Sequence, residues 1–318
     1  MDVQRLRVLR ELADRGSVTA VAAALSFTPS AISQQLRALA DEVGMALTEP
    51  AGRGLRLTDA GRVLAAEAEG VLAALARADA AVEGLRTTPR GLVRMAMFPS
   101  GARMMLAGVL ARLDERPEVD VSCRDVDMSP ADVLALTADF DVVVTHRDEH
   151  GPAPGHGRLV VPLLREPLDV VLPPGHRLAR RRKVRLDELA GESWISVEVG
   201  WPVDDVLRSL AVRTGATPRV VQRINDFSVT ETLVAAGRGI ALLPRYSTDD
   251  RGGRRLVRRP LAGVRAARLV EAVLRPSAAA RPAVRAVLDA LSAEAAAVSG
   301  SRAAPASGPA RAVEGAAP

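Results

Sequence analysis

Hydrophobic positions in the first forty-odd residues recur three and four apart in short blocks, each opened by a hydroxyl that starts helices well. Ser17 is a good N-cap for a helix carrying Val21, Ala22 and Leu25, whose small side chains let a neighbouring helix approach closely. Thr28 opens a second helix with Pro29 at its first position, and Ile32, Leu36 and Leu39 form one buried stripe four and three apart. Ser30, Ser33, Gln34 and Arg37 fall on another stripe that stays in water. A plain two-helix corner has the same pattern. The polar stripe, however, has the side chains that read a major groove: Gln and Arg pair bidentately with purine edges, while Ser hydroxyls suit phosphates or bases.

The following segment, Ala46 to Gly61, contains Gly52-Arg53-Gly54 before an alternating Leu55-Arg56-Leu57. This predicts a short β-wing with Arg53 at its tip and Arg56 on its exposed side, both able to reach phosphates or a minor groove. Leu55 or Leu57 then packs back on the helices. Residues 1–61 thus resemble the winged helix-turn-helix of LysR-type transcriptional regulators: Ser17, Ala22, Leu25, Ser33, Leu36, Leu39, Gly44, Leu47, Leu57, Thr58 and Gly61 match that pattern in order and spacing. The chain departs from it at Leu47-Thr48-Glu49-Pro50, where the family has Leu-Phe-x-Arg, and at Pro29 and Ala40, where the family commonly has Gln and Glu. The resemblance therefore puts no base contact on position 29.

From Asp59 to Arg86 an Ala-rich stretch without proline places Leu64, Ala68, Val71, Leu75, Ala78, Val82 and Leu85 at heptad spacing. Such a helix is about 42 Å long at about 1.5 Å per residue. Its seam predicts a coiled coil between two copies, although packing on a larger domain would leave the same stripe. The resemblance implies the linker helix of a dimer or tetramer.

Thr87 to Gly91 breaks the helix, and the pattern turns to strand, helix, strand. Strands are predicted at Leu92–Phe98, Val119–Val126 and Asp141–Thr145, with helices at Gly101–Glu115 and Ser129–Ala138. A second unit has strands at Leu168–Leu172, Trp194–Val197 and Val220–Arg223 and helices at Val203–Thr214 and Thr230–Ala236. A buried strand then follows Gly239, and after a basic loop come a strand over Ala266–Leu274 and a helix over Ala283–Ala297. This is α/β architecture. Residues 299–318, mostly Ala, Gly, Ser and Pro, read as a disordered tail.

Residues 91–298 resemble the LysR-type effector domain, most clearly at Asp139-Phe140-Asp141-Val142 and at the run from Gly237 to Pro244. The resemblance implies two Rossmann-like subdomains of type 2 periplasmic-binding-protein kind, about 91–163 with 266–298 and about 164–265, joined by crossing strands near 160–168 and 264–269. In that family the cleft binds small, often carboxylated or aromatic, effectors. Clefts of open α/β sheets lie beyond the carboxyl ends of strands, near helix N-termini. Ser100 and Gly101 after the first strand, Thr145 at the end of another, Val197 and Glu198, and Ser228 with Thr230 are the candidate lining.

Composition changes this picture little. The 318 residues suit two or three units, and with 2% aromatics the cores must be built from Leu, Val and Ala. Residues 1–62 carry eight arginines against seven acids, so a basic DNA face must come from placement. The arginine runs 177–185 and 251–268 read as solvated surface, with DNA bending or an anionic effector as the alternatives. Cys123 is the single cysteine, which excludes an internal disulfide and a thiolate zinc cluster. His146, His150 and His156 sit in or beside a Gly- and Pro-rich loop that fixes no metal, and Asp125 with Asp127 reads as a solvated turn. No apolar run has the length of a membrane span, and no signal peptide precedes the first helix, so a cytoplasmic protein is expected.

These features together predict a regulator binding double-stranded DNA, itself and a small-molecule effector, without metal or cofactor, and acting through promoter bending or RNA polymerase. A transport-type binding protein would need an export signal. An enzyme fused to a DNA-binding head would need a reactive constellation in residues 91–297, and the motifs for one are absent from the sequence.

Overall fold

The computed structural model describes residues 1–303 apart from Arg53, 84–87, Pro130, 155–156, Ala190, Ala216 and 264–265. Arg53 of the wing tip, Leu85 of the heptad seam, His156 and residues 304–318 of the tail therefore lie outside the described residues.

Helices α1 (Val3–Arg15), α2 (Val18–Leu25) and α3 (Pro29–Val43) form the head. Ser17 and Thr28 cap α2 and α3 as expected, accepting from the backbone N–H of Ala20 and Ala31. At the other end of α3, Gly44 takes φ 73° and returns its N–H to the Ala40 carbonyl, a left-handed turn that glycine adopts freely. Leu9, Leu12, Val21, Ile32, Leu36 and Leu39 share one core with Leu47 and Leu57. The wing follows as β1 (Thr48–Ala51) and β2 (Gly54–Leu57), antiparallel with Thr48 opposite Leu57.

Helix α4 (Asp59–Glu83) leaves the wing through a close approach at Gly61, where a Cβ would lie 2.0 Å from the Leu47 carbonyl oxygen. The heptad seam divides along this helix. Ala68 is buried in the head core, whereas Val71, Leu75, Ala78 and Val82 are exposed on the single chain. The helix buries a different stripe, including Glu69, Leu72 and Ala73, as it runs beside α1 and α10 (Pro276–Ala279).

The effector part has two lobes. In the first, β3 (Gly91–Met97) pairs in parallel with β4 (Val119–Asp125) and β5 (Val142–Asp148), and β11 (Ala267–Leu274) runs antiparallel to β5. Between β3 and β4 the chain forms α5 (Pro99–Gly101), a π-helical turn over Ala102–Leu106 and α6 (Ala107–Leu113); α7 (Val133–Leu136) precedes β5. Val93, Met95, Val109, Val144, Val287 and Leu291 form its main core, the last two supplied by α11 (Pro282–Ala303).

The second lobe is built on the far end of β6 (Leu159–Leu172), where β9 (Ala241–Pro244) and β10 (Val257–Pro260) add antiparallel. Beside them lie the parallel pair β7 (Ser193–Ser196) and β8 (Arg219–Arg223), with α8 (Pro202–Thr214) and α9 (Phe227–Ala235).

Four expectations change. The strand expected at Leu168–Leu172 is the second half of β6, one unbroken 14-residue strand that serves both lobes. The helix expected over Ser129–Ala138 shrinks to Val133–Leu136, because Asp132 accepts from the Ser129 N–H and hydroxyl and holds a turn there. The last helix continues through residues 299–303 of the expected tail. The basic loop contains β10, and three arginines of the run are engaged: Arg258 pairs with Asp250 at 2.7 Å, Arg255 with Glu231 at 3.3 Å, and Arg268 is wholly buried on Glu166.

Head and effector part meet in a charge network that burial makes energetically important. Arg275 donates to Glu11 at 3.0 Å and Asp14 at 2.6 Å, and Arg158 to the other oxygen of Asp14 at 2.6 Å. Arg15 pairs with Asp139 at 2.8 Å. Glu69 of α4 accepts from the Ser277 N–H at 2.9 Å. Burial raises the Glu11 carboxyl, but Arg275, Arg10 and Arg15 outweigh it and hold the group below its ordinary pKa.

Candidate nucleic-acid interface and effector cleft

The outer face of α3 is free of the rest of the chain. Ser30, Gln34 and Arg37 are exposed, while Ser33 is half-buried and donates from its hydroxyl to the Pro29 carbonyl at 3.0 Å. Arg37 leans along the helix, its Nε donating to the Ser33 carbonyl at 3.3 Å, which leaves its terminal nitrogens outward. Ser17 and Thr28 are exposed caps whose oxygens accept from the helix, and the Thr28 hydroxyl also shares a hydrogen bond with the Ser30 hydroxyl at 3.0 Å. Phe27, in the turn before Thr28, is 41% exposed beside this face. Phe27 lies outside the polar stripe that marks this face in the sequence; its signal there is an apolar ring in a turn between two capped helices.

The wing is differently equipped. Arg56 stands opposite Glu49 in the β1–β2 register and pairs with it at 2.9 Å, so the cation meant for phosphate has a carboxylate beside it. At the wing's base the Thr58 hydroxyl donates to the Ala46 carbonyl at 2.7 Å and accepts from the Gly61 N–H at 3.0 Å. This clamp gives Thr58 and Gly61 their physical purpose.

Between the lobes lies a cavity of about 320 Å³. The first lobe lines it with Phe98, Pro99, Ser100, Asp125, Asp127 and His146, and the second with Val197, Trp201, Val203, Asn225, Asp226 and Phe227. Asn225 donates to Asp127 at 3.4 Å across the mouth. Beneath it, Arg268 stacks 4.8 Å from the Phe98 ring centre and donates to Glu166 and, at 3.1 Å, to the Ser100 hydroxyl.

Of the expected lining, Ser100 and Val197 are there. Gly101 is buried behind it, where a Cβ would meet the Phe98 ring at 2.5 Å. Thr145 is buried on β5, and because side chains alternate along a strand it is His146 that reaches the cavity. Glu198 is exposed outside it, its N–H donating to the Asn225 side chain at 3.0 Å. Ser228 is spent on the Asp226 cap, and Thr230 is buried in α9. Asp125 and Asp127, expected only as a solvated turn, face the cavity.

His146 is buried edge-on to Phe98 at 4.6 Å, and burial together with Arg268 holds its pKa well below the ordinary histidine value. Asp226 is held below the usual carboxylate range by the Ser228 hydroxyl, against a smaller effect of burial. At neutral pH the ring is neutral and the carboxylate ionised. Cys123 on β4 is half-buried, and burial with Asp125 pushes its thiol up to about 11.

Residues 3–62 match the family model for the bacterial regulatory helix-turn-helix protein of the lysR family, and residues 86–296 match the LysR substrate binding domain. The small neutral protease regulatory protein of Streptomyces coelicolor is 34% identical over 253 residues, covering 75% of this chain and 76% of its own. The transcriptional dual regulator GltC of Bacillus subtilis is 26% identical over 271 residues, covering 82% and 86%. In structure, full-length OxyR from Pseudomonas aeruginosa aligns over 93% of this chain and 94% of its own, with a TM-score of 0.65 at 18% identity. Full-length CbnR, solved with its target DNA, aligns over 93% and 100% with a TM-score of 0.52 at 20% identity. The two structural likenesses show a shared fold, and the sequence matches cover both the winged head and the lobes that hold the cleft. This chain belongs to the LysR family of DNA-binding transcriptional regulators, with an effector-binding domain following its winged helix-turn-helix.

Proposed function

We propose that α3 lies in the major groove with Ser30, Ser33, Gln34 and Arg37 toward the base edges. Ser17 and Thr28 contact phosphates, Arg53 and Arg56 of the wing flank the groove, and Phe27 packs on a thymine methyl. Two copies join through the exposed Val71, Leu75, Ala78 and Val82 of α4, which sets the spacing of the two heads. A small molecule in the cleft biases the lobes, and the charge network around Arg275 passes that bias to the head. Promoter DNA is then bent differently, or RNA polymerase contacted differently. The protein acts by binding, without catalysis, metal or cofactor.

The observation that carries this reading is the contrast across α3: Ile32, Leu36 and Leu39 are sealed in the head core while Gln34 and Arg37 have no protein covering them. The test is binding of duplex DNA across a salt series, after operator fragments are recovered by genome-wide mapping. Affinity should fall with log salt at a slope of about 0.9 per phosphate contacted. Absence of duplex binding at low ionic strength would overturn the reading.

A further inference from the structure

Resting on the reading of the cleft as the effector site, we propose that this cleft selects a compact organic cation, a protonated amine on an apolar body, over a carboxylate.

The charges on its wall are all of one sign. Asp125, Asp127 and Asp226 line the cavity, and no arginine or lysine is among its described lining residues. Most of the groups that could hold an anion are already in use. Helix α5 begins with Pro99, which has no N–H, and the Gly101 and Ala102 N–H groups return to the Phe98 carbonyl at 2.9 and 3.0 Å. At the start of α9, Asp226 itself supplies the negative charge, accepting from the Ser228 N–H at 2.7 Å and hydroxyl at 2.6 Å. Arg268 below the floor pairs with Glu166 at 2.7 Å through Nη2, keeps Nη1 without a partner among the described residues, and lies against the Phe98 and Phe227 rings. A carboxylate entering here would meet three like charges on the wall, with Arg268, already paired with Glu166, as the cation beneath it.

An ammonium finds partners. Phe98, Trp201 and Phe227 line the cavity, in a chain with only seven aromatic residues (four Phe, two Trp and one Tyr). Ring faces beside carboxylates attract a cation by quadrupole and charge together. Independently, His146 is buried, lines the cavity, and has no hydrogen-bond partner at Nδ1. In the tautomer protonated at Nε2, this nitrogen accepts from an N–H donor. At about 320 Å³ the space suits a small ligand.

The test is calorimetric titration of the full chain with three probes of matched phenyl body: benzylammonium, benzyl alcohol and benzoate. The cation should bind at least about tenfold more tightly than the other two. Asp226→Asn, which keeps a good N-cap, and the surface pair Asp125→Asn with Asp127→Asn should each remove most of that preference. Benzoate or benzyl alcohol binding as well as the cation would overturn the charge selection while leaving the cleft as a ligand site. Cation binding untouched by either variant would place the probe elsewhere and overturn the proposal. No saturable heat from any of the three would overturn the cleft reading along with it.

Discussion

Arg275, at the start of α10, donates to Glu11 of α1 at 3.0 Å, so a guanidinium of the effector domain is held by a carboxylate of the DNA-binding head with both groups buried. The pair is not isolated, since Glu11 also meets Arg10 at 2.9 Å and Arg15 at 2.7 Å. Removing one member therefore leaves the other partly compensated. Arg275→Ala should cost about 2 kcal/mol, below the roughly 3–5 kcal/mol of an unshared buried pair. Glu11→Ala should be non-additive with it by at least about 0.5 kcal/mol in a double-mutant cycle measured by denaturant unfolding. Strict additivity would show that the contact does not couple head to effector domain.

The face of α3 gives a second expectation. Arg37→Ala and Gln34→Ala should each lose about 1–3 kcal/mol of specific DNA binding and relax preference at particular base pairs. Arg56→Ala should do less, because Glu49 already offsets that charge. Competition binding against operator variants measures both, and an unchanged base preference in Arg37→Ala would remove that residue from the reading of sequence.

Gly61 tests the wing's seating. A methyl group there collides with the Leu47 carbonyl oxygen, which is backbone and moves only with β1. Gly61→Ala should destabilise the head by about 1–3 kcal/mol, the usual range for overpacking. Far-UV melting and DNA affinity should fall together.

The exposed stripe of α4 predicts the oligomer. Leu75 is 40% exposed and Val82 70% exposed on the single chain, against the ordinary tendency of such residues. Leu75→Glu should convert the assembly toward monomers in sedimentation or light scattering, with loss of the affinity advantage of two-half-site DNA over a single half-site. An assembly unaffected by the charge would place the interface elsewhere.

His146 sets a pH dependence whose sign follows from burial. Its folded pKa is well below the ordinary value of about 6.5, so between that value and the folded one the unfolded chain binds a proton that the folded chain refuses. Stability is complete above about pH 6.5 and falls as pH drops below it, by up to about 1.4 kcal/mol per unit. His146→Asn should flatten that slope in urea midpoints taken from pH 7.5 to 5.5. Glu11 acts lower: its depressed pKa adds stability that is present above about pH 4.5 and is lost as acid titrates the folded carboxylate.

Much of this architecture was legible in the residues. Caps at Ser17 and Thr28, the stripe of Ile32, Leu36 and Leu39, and the Gly-bracketed wing are local signals, because each depends on neighbours within a few positions. The cleft was harder to read. Arg268 looks in sequence like any member of a basic run, and its partner Glu166 lies 102 residues away, so nothing nearby distinguishes it from a surface arginine. Thr145 and His146 exchange roles for an equally simple reason: β5 runs three residues beyond the expected end, and one step along a strand reverses the face. Asp226 is masked in the sequence by Ser228, the more obvious cleft hydroxyl, which donates to the Asp226 carboxylate.

The continuity of β6 has a mechanical meaning. Its first half is bonded to β11 and its second to β9 and β10, without a loop at the border between the lobes, and the ladder with β11 slips register only between Val270 and Glu271. Such a joint has the character of a torsion bar: lobes sharing one beam reorient by winding it, and a bulge is where a ladder twists most easily. An occupied cleft is then felt as torque at the root of β11, a few residues before Arg275 and the head.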